Sequence, residues 1–202
     1  MTNIKVLIVE DETLVAEDIA LNLQNIDFEV AGIAYNSEKA LDMLALRHPD
    51  AVLLDINIKG TMDGIQLAEI INEKYHLPFI YLTSYSDKAT IERAKVTMPY
   101  GYIVKPFDER DLLTSLEMAV YRHAQTNKNT PPGLEKINAK LLSAVTKKEY
   151  EIALDICQGL TNKQMGEKHF VSVNTIKSHI KNLYLKLEVH HRTALINRLN
   201  QL

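Results

Sequence analysis

The feature of this sequence that most limits its possible folds is an alternation of short apolar runs with amphipathic segments, repeated five times before residue 125. The apolar runs are rich in β-branched residues and have the length of strands, at residues 4–9, 29–34, 51–54, 79–82 and 100–104. The segments that follow them carry apolar residues at helical spacing, at residues 14–26, 37–46, 64–75, 87–96 and 109–123. Strands that are almost entirely apolar are typical of a parallel sheet with helices on both faces. We therefore predict an α/β fold, a doubly wound five-stranded parallel sheet.

The composition excludes several classes of protein. The chain has 202 residues, of which 46% are hydrophobic and 24% charged, which is ordinary for a soluble globular protein. No apolar stretch approaches the roughly 20 residues that cross a bilayer, and the first apolar run leads directly into acidic residues, which favours a first strand over a signal peptide. The single cysteine, Cys157, excludes an internal disulfide, and its apolar helical surroundings predict a buried structural thiol. We expect the chain to be cytoplasmic.

The charge is unevenly distributed along the chain and indicates two domains with different partners. Residues 138–202 contain 10 lysines and arginines against 5 aspartates and glutamates, a net charge of +5, whereas residues 1–137 contain 13 against 21, a net charge of −8. Near the end of the acidic range, residues 126–133 form the polar stretch TNKNTPPG, which cannot continue a helix because it contains two prolines. We therefore predict an acidic domain at residues 1–125, a linker at 126–137 and a small all-α basic domain at 138–202.

Polar side chains follow four of the predicted strands where those strands end. Glu10 and Asp11 follow the first strand, Asp55 follows the third, Thr83 follows the fourth, and Lys105 follows the fifth. Because such sheets bind ligands beyond the carboxyl ends of their strands, we expect these side chains to share one crevice. A single aspartate at a strand end is more often a turn or cap residue, and Glu10 and Asp11 alone could simply start a helix. The prediction therefore depends on the order of all these residues along the chain.

This set of residue types is suited to phosphoryl transfer. Carboxylates that crowd into one pocket repel one another unless they share protons or bind a hard cation, and Mg²⁺ prefers their oxygen atoms as ligands. A lysine opposite them can clamp an anion. A carboxylate that faces Mg²⁺, with a hydroxyl and a lysine nearby, can therefore act as a nucleophile that accepts a phosphoryl group.

Four motifs of the acidic domain form a set that is specific to one family. They are VLIVEDE at 6–12, LLDINIKGTMDG at 53–64, YLTSYSD at 81–87 and GYIVKPF at 101–107. Together they resemble the receiver domain of two-component response regulators, over the whole of residues 1–125. The resemblance implies a flavodoxin-like fold in which Asp55 is the phosphoacceptor. It also implies that Mg²⁺ is bound by Asp55, by Asp11 directly, by Glu10 through water and by the backbone carbonyl of Asn57.

The same resemblance assigns the residues of a conformational switch. Thr83 would be the switch hydroxyl, Tyr102 the switch aromatic and Lys105 the cation on the phosphate side, followed by a cis bond to proline. The chain departs from the family at Glu10, where aspartate is commoner, and in VTMPYGY at 96–102, where small residues are usual. The second departure is expected to alter the face of the preceding helix, which is often a dimer surface.

The basic domain has the spacing of a helix-turn-helix motif. Its helical segments are predicted at residues 134–144, 147–158, 162–169, 173–188 and 191–202, and Ser172 is a good N-cap for the fourth. In that segment an apolar stripe repeats at steps of 3 and 4, at Ile176, Ile180, Leu183 and Leu187. Lysines beside small polar residues lie off the stripe. Such a face can lie in the major groove of DNA, although lysines on an amphipathic helix more often form only its solvated face.

Residues 145–195 resemble the four-helix effector domain of the LuxR/NarL type, through TKKEYEI, GLTNKQMGEKHFVSVNTIKSHIKNLYLKL and VHHRTAL. The resemblance implies that the last helix serves dimerisation. The residues that it assigns to DNA are Lys177, Ser178 and Lys181 in the groove and Thr175 and His179 at the backbone. Gly166 stands where alanine is usual, and we expect a soft helix there because glycine costs about 1 kcal/mol relative to alanine.

These observations predict a response regulator that binds specific DNA sequences and controls transcription. A sensor histidine kinase would phosphorylate Asp55 with Mg²⁺ present, Thr83 and Tyr102 would move, and the chain would form a homodimer on paired half-sites of double-stranded DNA. A receiver linked to an RNA-binding antiterminator is the alternative. We do not expect an enzyme beyond self-phosphorylation and autodephosphorylation. Phosphatases with an aspartyl nucleophile usually carry a second acid two residues later, where this chain has Asn57.

Overall fold

The structure is a computed structural model that describes residues 3–25, 28–84, 88–126 and 131–202. Its contacts divide the chain into two units, one of Ile4–His123 and one that contains Ala124–Leu202. Residues 127–130 of the predicted linker, and residues 26 and 87 at the ends of two predicted helices, lie outside the described ranges. Within those ranges, no helix is both long enough and apolar enough to cross a membrane.

The first unit is a five-stranded sheet with a helix between successive strands. Its strands are β1 (Ile4–Val9), β2 (Phe28–Ala34), β3 (Ala51–Asp55), β4 (Phe79–Thr83) and β5 (Gly101–Val104). Its helices are α1 (Thr13–Asn25), α2 (Ser37–Arg47), α3 (Gly64–Ile70), α4 (Lys88–Val96) and α5 (Glu109–Thr126). All strand pairs are parallel, in the order β2-β1-β3-β4-β5, so the predicted doubly wound sheet is confirmed.

The sheet is buried on both faces because its strands are almost wholly apolar. One face packs against α1 and α5 through residues such as Ile8, Leu53 and Leu116. The other packs against α2, α3 and α4 through residues such as Leu54 and Leu44. Strand β3 is central, with β1 and β4 on either side, and the residues that follow these three strands are therefore neighbours at one edge of the sheet.

The apolar face expected for the first helix is partly wrong. Leu14 and Leu21 belong to the predicted pattern, yet their side chains are 82% and 62% exposed. The buried stripe of α1 instead contains Ala16, Ile19 and Leu23, which follow one another at steps of 3 and 4. Leu14 and Leu21 each lie two residues before a member of this stripe, which places them on the opposite side of the helix.

The helix predicted at residues 64–75 changes its hydrogen bonding halfway. It is α-helical as α3, and then continues as a π-helical turn, Ile71–Tyr75. The turn closes with a bond from His76 N to Ile71 O at 2.8 Å, and His76 has a left-handed φ of 52°. A π-helical turn contains one residue more than an α-helical turn. The apolar pattern of the sequence continues through it without a break and therefore does not predict it.

In its described residues the second unit contains five helices, and three of their N-caps are residues of the usual capping types. The helices are α6 (Leu134–Asn138), α7 (Lys147–Cys157), α8 (Asn162–His169), α9 (Val173–Leu187) and α10 (Arg192–Asn200). Ser172 caps α9 as predicted, and Thr146 and Thr161 begin capping boxes at α7 and α8. The predicted stripe of α9 is buried in the core of this unit, with each side chain at most 1% exposed: Ile176, Ile180, Leu183 and Leu187.

The connecting helix predicted at residues 134–144 is shorter than expected and ends at Asn138. The side chain of Asn138 explains why, because it bonds to the backbone of Val145 twice, accepting from its N–H at 2.8 Å and donating to its carbonyl at 3.0 Å. This pair of bonds holds a turn, so the chain leaves the helix there. Cys157 is partly buried rather than fully buried, and burial raises the pKa of its thiol to about 11.

Gly166 has a packing role that the sequence interpretation missed. A Cβ at this position would lie 3.0 Å from the carbonyl oxygen of Val171, in the turn between α8 and α9. Gly166 O also accepts a bond from Val171 N at 3.0 Å. The glycine therefore permits a close approach of two backbone segments, and its presence is not only a loss of helix propensity.

Candidate functional site

The sheet edge brings together the carboxylates that follow β1 and end β3. Glu10 is fully buried, Asp11 is partly exposed, and Asp55 is 6% exposed as the last residue of β3. One oxygen from each of these three side chains lies within 4.8 Å of the others. The backbone N–H of Asn57 donates to Asp55 Oδ1 at 2.8 Å, which fixes the orientation of that carboxylate. The predicted convergence of the three acids is therefore present.

Lys105 joins two of these acids. Its Nζ lies 2.6 Å from Glu10 Oε2 and 2.5 Å from Asp55 Oδ2, and its side chain is 12% exposed. Burial raises the pKa of Glu10, the charge of Asp55 adds to this, and the Lys105 ammonium opposes it without cancelling it. Burial lowers the pKa of Lys105, but its bonds to Asp55 and Glu10 outweigh this and leave the pKa above its usual value. The bond from Lys105 to Pro106 is cis, as expected.

A second lysine, Lys59, lies at the same edge and was not predicted. Its Nζ is 3.0 Å from Asp11 Oδ2, and its side chain is 77% exposed. Lys59 belongs to the loop between β3 and α3, inside the motif LLDINIKGTMDG. A lysine in a loop has no periodic signal, so only the folded loop reveals its contact with Asp11.

The donor atoms of this site fit a hard divalent cation. Three carboxylates supply oxygen ligands that are close enough to converge on one point, and Mg²⁺ takes oxygen ligands in preference to nitrogen or sulfur. Asp11 is partly open to solvent, which leaves room for the water molecules that Mg²⁺ usually keeps. The residues present therefore fit the predicted ion.

Thr83 lies on β4, which neighbours β3, and Tyr102 lies on β5, the edge strand beyond β4. Asp55 pairs in register with Leu82 of β4, so Thr83 is one residue beyond the position opposite Asp55, and it pairs with Val104 of β5. The Thr83 hydroxyl donates to Ser84 O at 3.3 Å. Tyr102 is 40% exposed on β5, and its ring centroid is 5.6 Å from that of the buried Tyr81. The roles assigned to Thr83 and Tyr102 stay predictions.

The residues assigned to DNA lie on α9, outside its buried stripe. Thr175, Ser178 and Lys181 are exposed, whereas Lys177 and His179 are partly buried. Thr175 also takes part in the helix start, because its N–H donates to Ser172 Oγ at 3.1 Å. Ser178 Oγ donates to Asn174 O at 3.0 Å, so its hydroxyl already has one partner within the helix. Together they form a polar, basic face, and their DNA contacts stay predictions.

Comparison with known proteins identifies both units. The family model described as "Response regulator receiver domain" matches residues 6–117, and that of "Bacterial regulatory proteins, luxR family" matches residues 143–199. The receiver family binds Mg²⁺ at an acidic pocket, and this chain has an acidic cluster at the matching sheet edge.

Individual relatives agree with the two family models. The transcriptional regulatory protein LiaR of Bacillus subtilis is 29% identical over 94% of this chain and 93% of its own length. The regulatory protein PdtaR of Mycobacterium tuberculosis is 36% identical over 58% of this chain, and the match spans only 57% of that relative. The crystal structure of ChrA, the response regulator of a heme-sensing two-component system, is 29% identical, with a TM-score of 0.51 over 100% of this chain and 98% of ChrA. The chain therefore belongs to the response regulators in which a receiver domain controls a LuxR-family DNA-binding domain.

Proposed function

We propose that Asp55 is the phosphoacceptor of this response regulator and that its phosphorylation controls DNA binding by the helical unit. One observation carries the proposal: Lys105 contacts Asp55 and Glu10 at once, in a cluster whose carboxylate oxygens lie within 4.8 Å of one another. This pairs a nucleophilic carboxylate with a cation that can receive the charge of an incoming phosphoryl group.

The phosphoryl group would come from the phosphohistidine of a sensor histidine kinase. A carboxylate oxygen of Asp55 attacks phosphorus, the new O–P bond forms as the P–N bond breaks, and the imidazole leaves with the electron pair. Lys105 can then donate to an oxygen of the transferred group, because its Nζ already lies 2.5 Å from Asp55 Oδ2. The carboxylates of Glu10, Asp11 and Asp55 and the carbonyl of Asn57 would hold Mg²⁺, which when bound neutralises charge on phosphoryl oxygens.

The chemistry would end with hydrolysis of the acyl phosphate, which resets the protein. We propose no other substrate, so the chain would act as a switch and not as an enzyme that turns over phosphate esters. Sustained hydrolysis of a phosphate ester by the wild-type chain, lost in Asp55→Asn, would contradict this part of the proposal.

The first test is phosphorylation by acetyl phosphate with Mg²⁺, followed by intact mass. We expect the wild-type chain to gain one phosphoryl group and Asp55→Asn to gain none. Asp50→Asn is the matched control, because Asp50 lies just before the opposite end of β3 and accepts a bond from Lys5 N at 3.0 Å. Equal gains in wild type and Asp55→Asn would show that another residue accepts the phosphoryl group and would overturn the proposal.

The switch would act through Thr83 and Tyr102. A phosphoryl group on Asp55 would draw the Thr83 hydroxyl toward it, and the partly exposed Tyr102 ring would turn, which changes the surface of β5 and favours a homodimer. Sedimentation with and without acetyl phosphate tests this. We expect Thr83→Ser to dimerise on phosphorylation, because it keeps the hydroxyl, and Thr83→Ala to be phosphorylated without dimerising. Dimerisation of Thr83→Ala to the wild-type extent would exclude the hydroxyl from the switch.

The helical unit would bind double-stranded DNA through α9. The luxR-family match over residues 143–199 supports duplex DNA over structured RNA as the partner. Binding of duplex DNA across a salt series tests this, with structured RNA as the comparison. Lys181→Ala is expected to reduce the salt slope by about 1 if the lysine contacts a phosphate, whereas Lys147→Ala, an exposed lysine of α7, should not. Tighter binding of RNA than of DNA would favour the antiterminator alternative.

A further inference from the structure

Two lysines contact the acidic cluster, and their side chains differ in exposure. Lys105 contacts Glu10 and Asp55 and is 12% exposed, whereas Lys59 contacts Asp11 and is 77% exposed. The three carboxylates can carry three negative charges, and the two ammonium groups supply two positive ones. Asp11, the acid predicted to bind the metal directly, is the one that Lys59 contacts.

The backbone around Lys59 is held in place by the start of α2. Ser37 N donates to Lys59 O at 3.0 Å, and Thr61 N donates to Glu38 Oε1 at 2.8 Å. Gly60 lies between these two anchors with a φ of +128°, and a Cβ there would lie 2.1 Å from Ser37 Oγ. Only glycine allows the loop to approach α2 this closely. The loop is therefore fixed on both sides of Gly60, and the Lys59 side chain starts from a set position.

The two lysines would respond differently to a divalent cation. The Lys105 ammonium is buried and has two carboxylate partners, so its removal would leave buried charge without a partner. The Lys59 ammonium is exposed and can return to water at little cost, since exposed ion pairs contribute only about 0–1 kcal/mol. A cation that takes Asp11 Oδ2 as a ligand displaces Lys59 from that oxygen. A cation bound at either oxygen of Asp11 is also repelled by the lysine charge nearby.

We propose that Lys59 is an internal competitor for the metal: it holds Asp11 in the metal-free protein and so lowers the affinity of the receiver for Mg²⁺. The inference rests on the proposed metal site. Lys59 acts through Asp11 and is a positioning residue. With Lys59 present, the site would fill with Mg²⁺ at higher concentrations than it would with the carboxylates alone. Because phosphorylation of Asp55 needs the metal, it would also depend on Mg²⁺ in that higher range.

Calorimetric titration of the full chain with MgCl₂ tests the proposal. Lys59→Met is expected to bind Mg²⁺ roughly threefold to tenfold more tightly than wild type, and Lys59→Arg, which keeps the charge, should bind like wild type. Lys39→Met is the matched control, because Lys39 is an exposed lysine of α2 that pairs with Asp42 at 3.7 Å. The difference between Lys59→Met and wild type should shrink in high salt, because salt screens exposed charges.

A second variant reaches the same prediction from another position. Glu38→Ala removes the anchor on Thr61 N and should release the loop, so its Mg²⁺ affinity should rise in the same direction as that of Lys59→Met but by less. The inference would be overturned if Lys59→Met and Lys39→Met bound Mg²⁺ with the same affinity. It would also be overturned if Lys59→Met bound Mg²⁺ more weakly than wild type. If Asp11→Asn and Asp55→Asn bind Mg²⁺ as wild type does, the proposed metal site itself is wrong, which is a separate result.

Discussion

The guanidinium of Arg93 in α4 lies 2.8 Å from the carboxylate of Asp63, the residue that caps α3. Asp63 Oδ1 also accepts from Gln66 N at 2.8 Å, and Asp63 N donates to Gln66 Oε1 at 2.9 Å. Burial raises the pKa of Asp63, but the bond from Gln66 and the Arg93 guanidinium outweigh it and leave the pKa below its usual value. One carboxylate thus holds the start of α3 and a side chain of α4.

We expect the cap to contribute more than the ion pair. Asp63→Ala should lower the free energy of unfolding by about 1–2 kcal/mol, because it removes both. Asp63→Asn keeps an N-cap and loses only the largely exposed pair, so it should cost about 0.5 kcal/mol. Urea unfolding of the full chain measures both. The advantage of wild type over Asp63→Asn should vanish as the pH falls through the lowered pKa of Asp63, below about 4. Equal costs for the two substitutions would contradict the capping role.

The buried hydroxyls of Tyr81 and Thr97 have fixed roles. Thr97 Oγ1 donates to Ala94 O at 2.7 Å, so at the 2.8 Å contact between the two hydroxyls it is Tyr81 that donates. We expect Tyr81→Phe to cost about 1 kcal/mol and Thr97→Val about 1–3 kcal/mol, because the second leaves a buried tyrosine donor without its acceptor. The double variant should cost less than the sum in a double-mutant cycle measured by urea unfolding. Additive costs would mean that the two hydroxyls do not interact.

His123 should make the receiver less stable in weak acid. Burial lowers its pKa, and the bond from its Nε2–H to His76 O, at 2.8 Å, does not restore it. Below about pH 6.5 the unfolded chain therefore binds a proton that the folded chain does not bind readily. The free energy of unfolding is unaffected by His123 above that pH and declines as the pH falls toward the lowered pKa. Unfolding at pH 7.5 and 5.5 should show a smaller loss for His123→Gln than for wild type. An equal loss for His123→Gln and wild type would contradict this role of His123.

The pair between Glu149 and Lys186 should stabilise the helical unit by linking α7 to α9. Lys186 Nζ lies 2.6 Å from Glu149 Oε2, and the glutamate side chain is 4% exposed. Burial raises the pKa of Glu149, but the bonds from Lys186 and from Thr146 N outweigh it and lower the pKa overall. Lys186→Met would leave a buried carboxylate without its cation, at about 3 kcal/mol, whereas Glu149→Gln keeps the capping box, at about 1 kcal/mol. Thermal unfolding that ranks the two variants in the opposite order would contradict this assignment.

The parts of the fold that depend on periodic burial could be predicted from the sequence. Five apolar runs gave the strands, and the acids after the first and third runs met at one edge because parallel strands end on the same side. Ser172 is a local signal, since its side chain caps a helix whatever the rest of the fold does.

The remaining features depend on contacts between distant residues. Leu14 and Leu21 lie on one side of α1, and Ala16, Ile19 and Leu23 lie on the other, and both sets have helical spacing. Only the packing of the helix on the sheet decides which side is buried. The contact of Lys59 with Asp11 depends on how the loop after β3 docks on α2. The buried Asp155 of α7 accepts from Lys168 and His169 of α8 and so joins the two helices. No short sequence motif predicts this contact.

The close approach at Gly166 limits how this DNA-binding motif can be engineered. A helix grafted from a relative with alanine at this position would place a methyl group about 3.0 Å from the carbonyl oxygen of Val171, which would have to move by a few tenths of an ångström. A shift of this turn would also move the start of α9, because Ser172 in the same turn caps that helix. A graft should therefore replace the whole segment from Thr161 to Leu187, so that α8, the turn and α9 are transferred together.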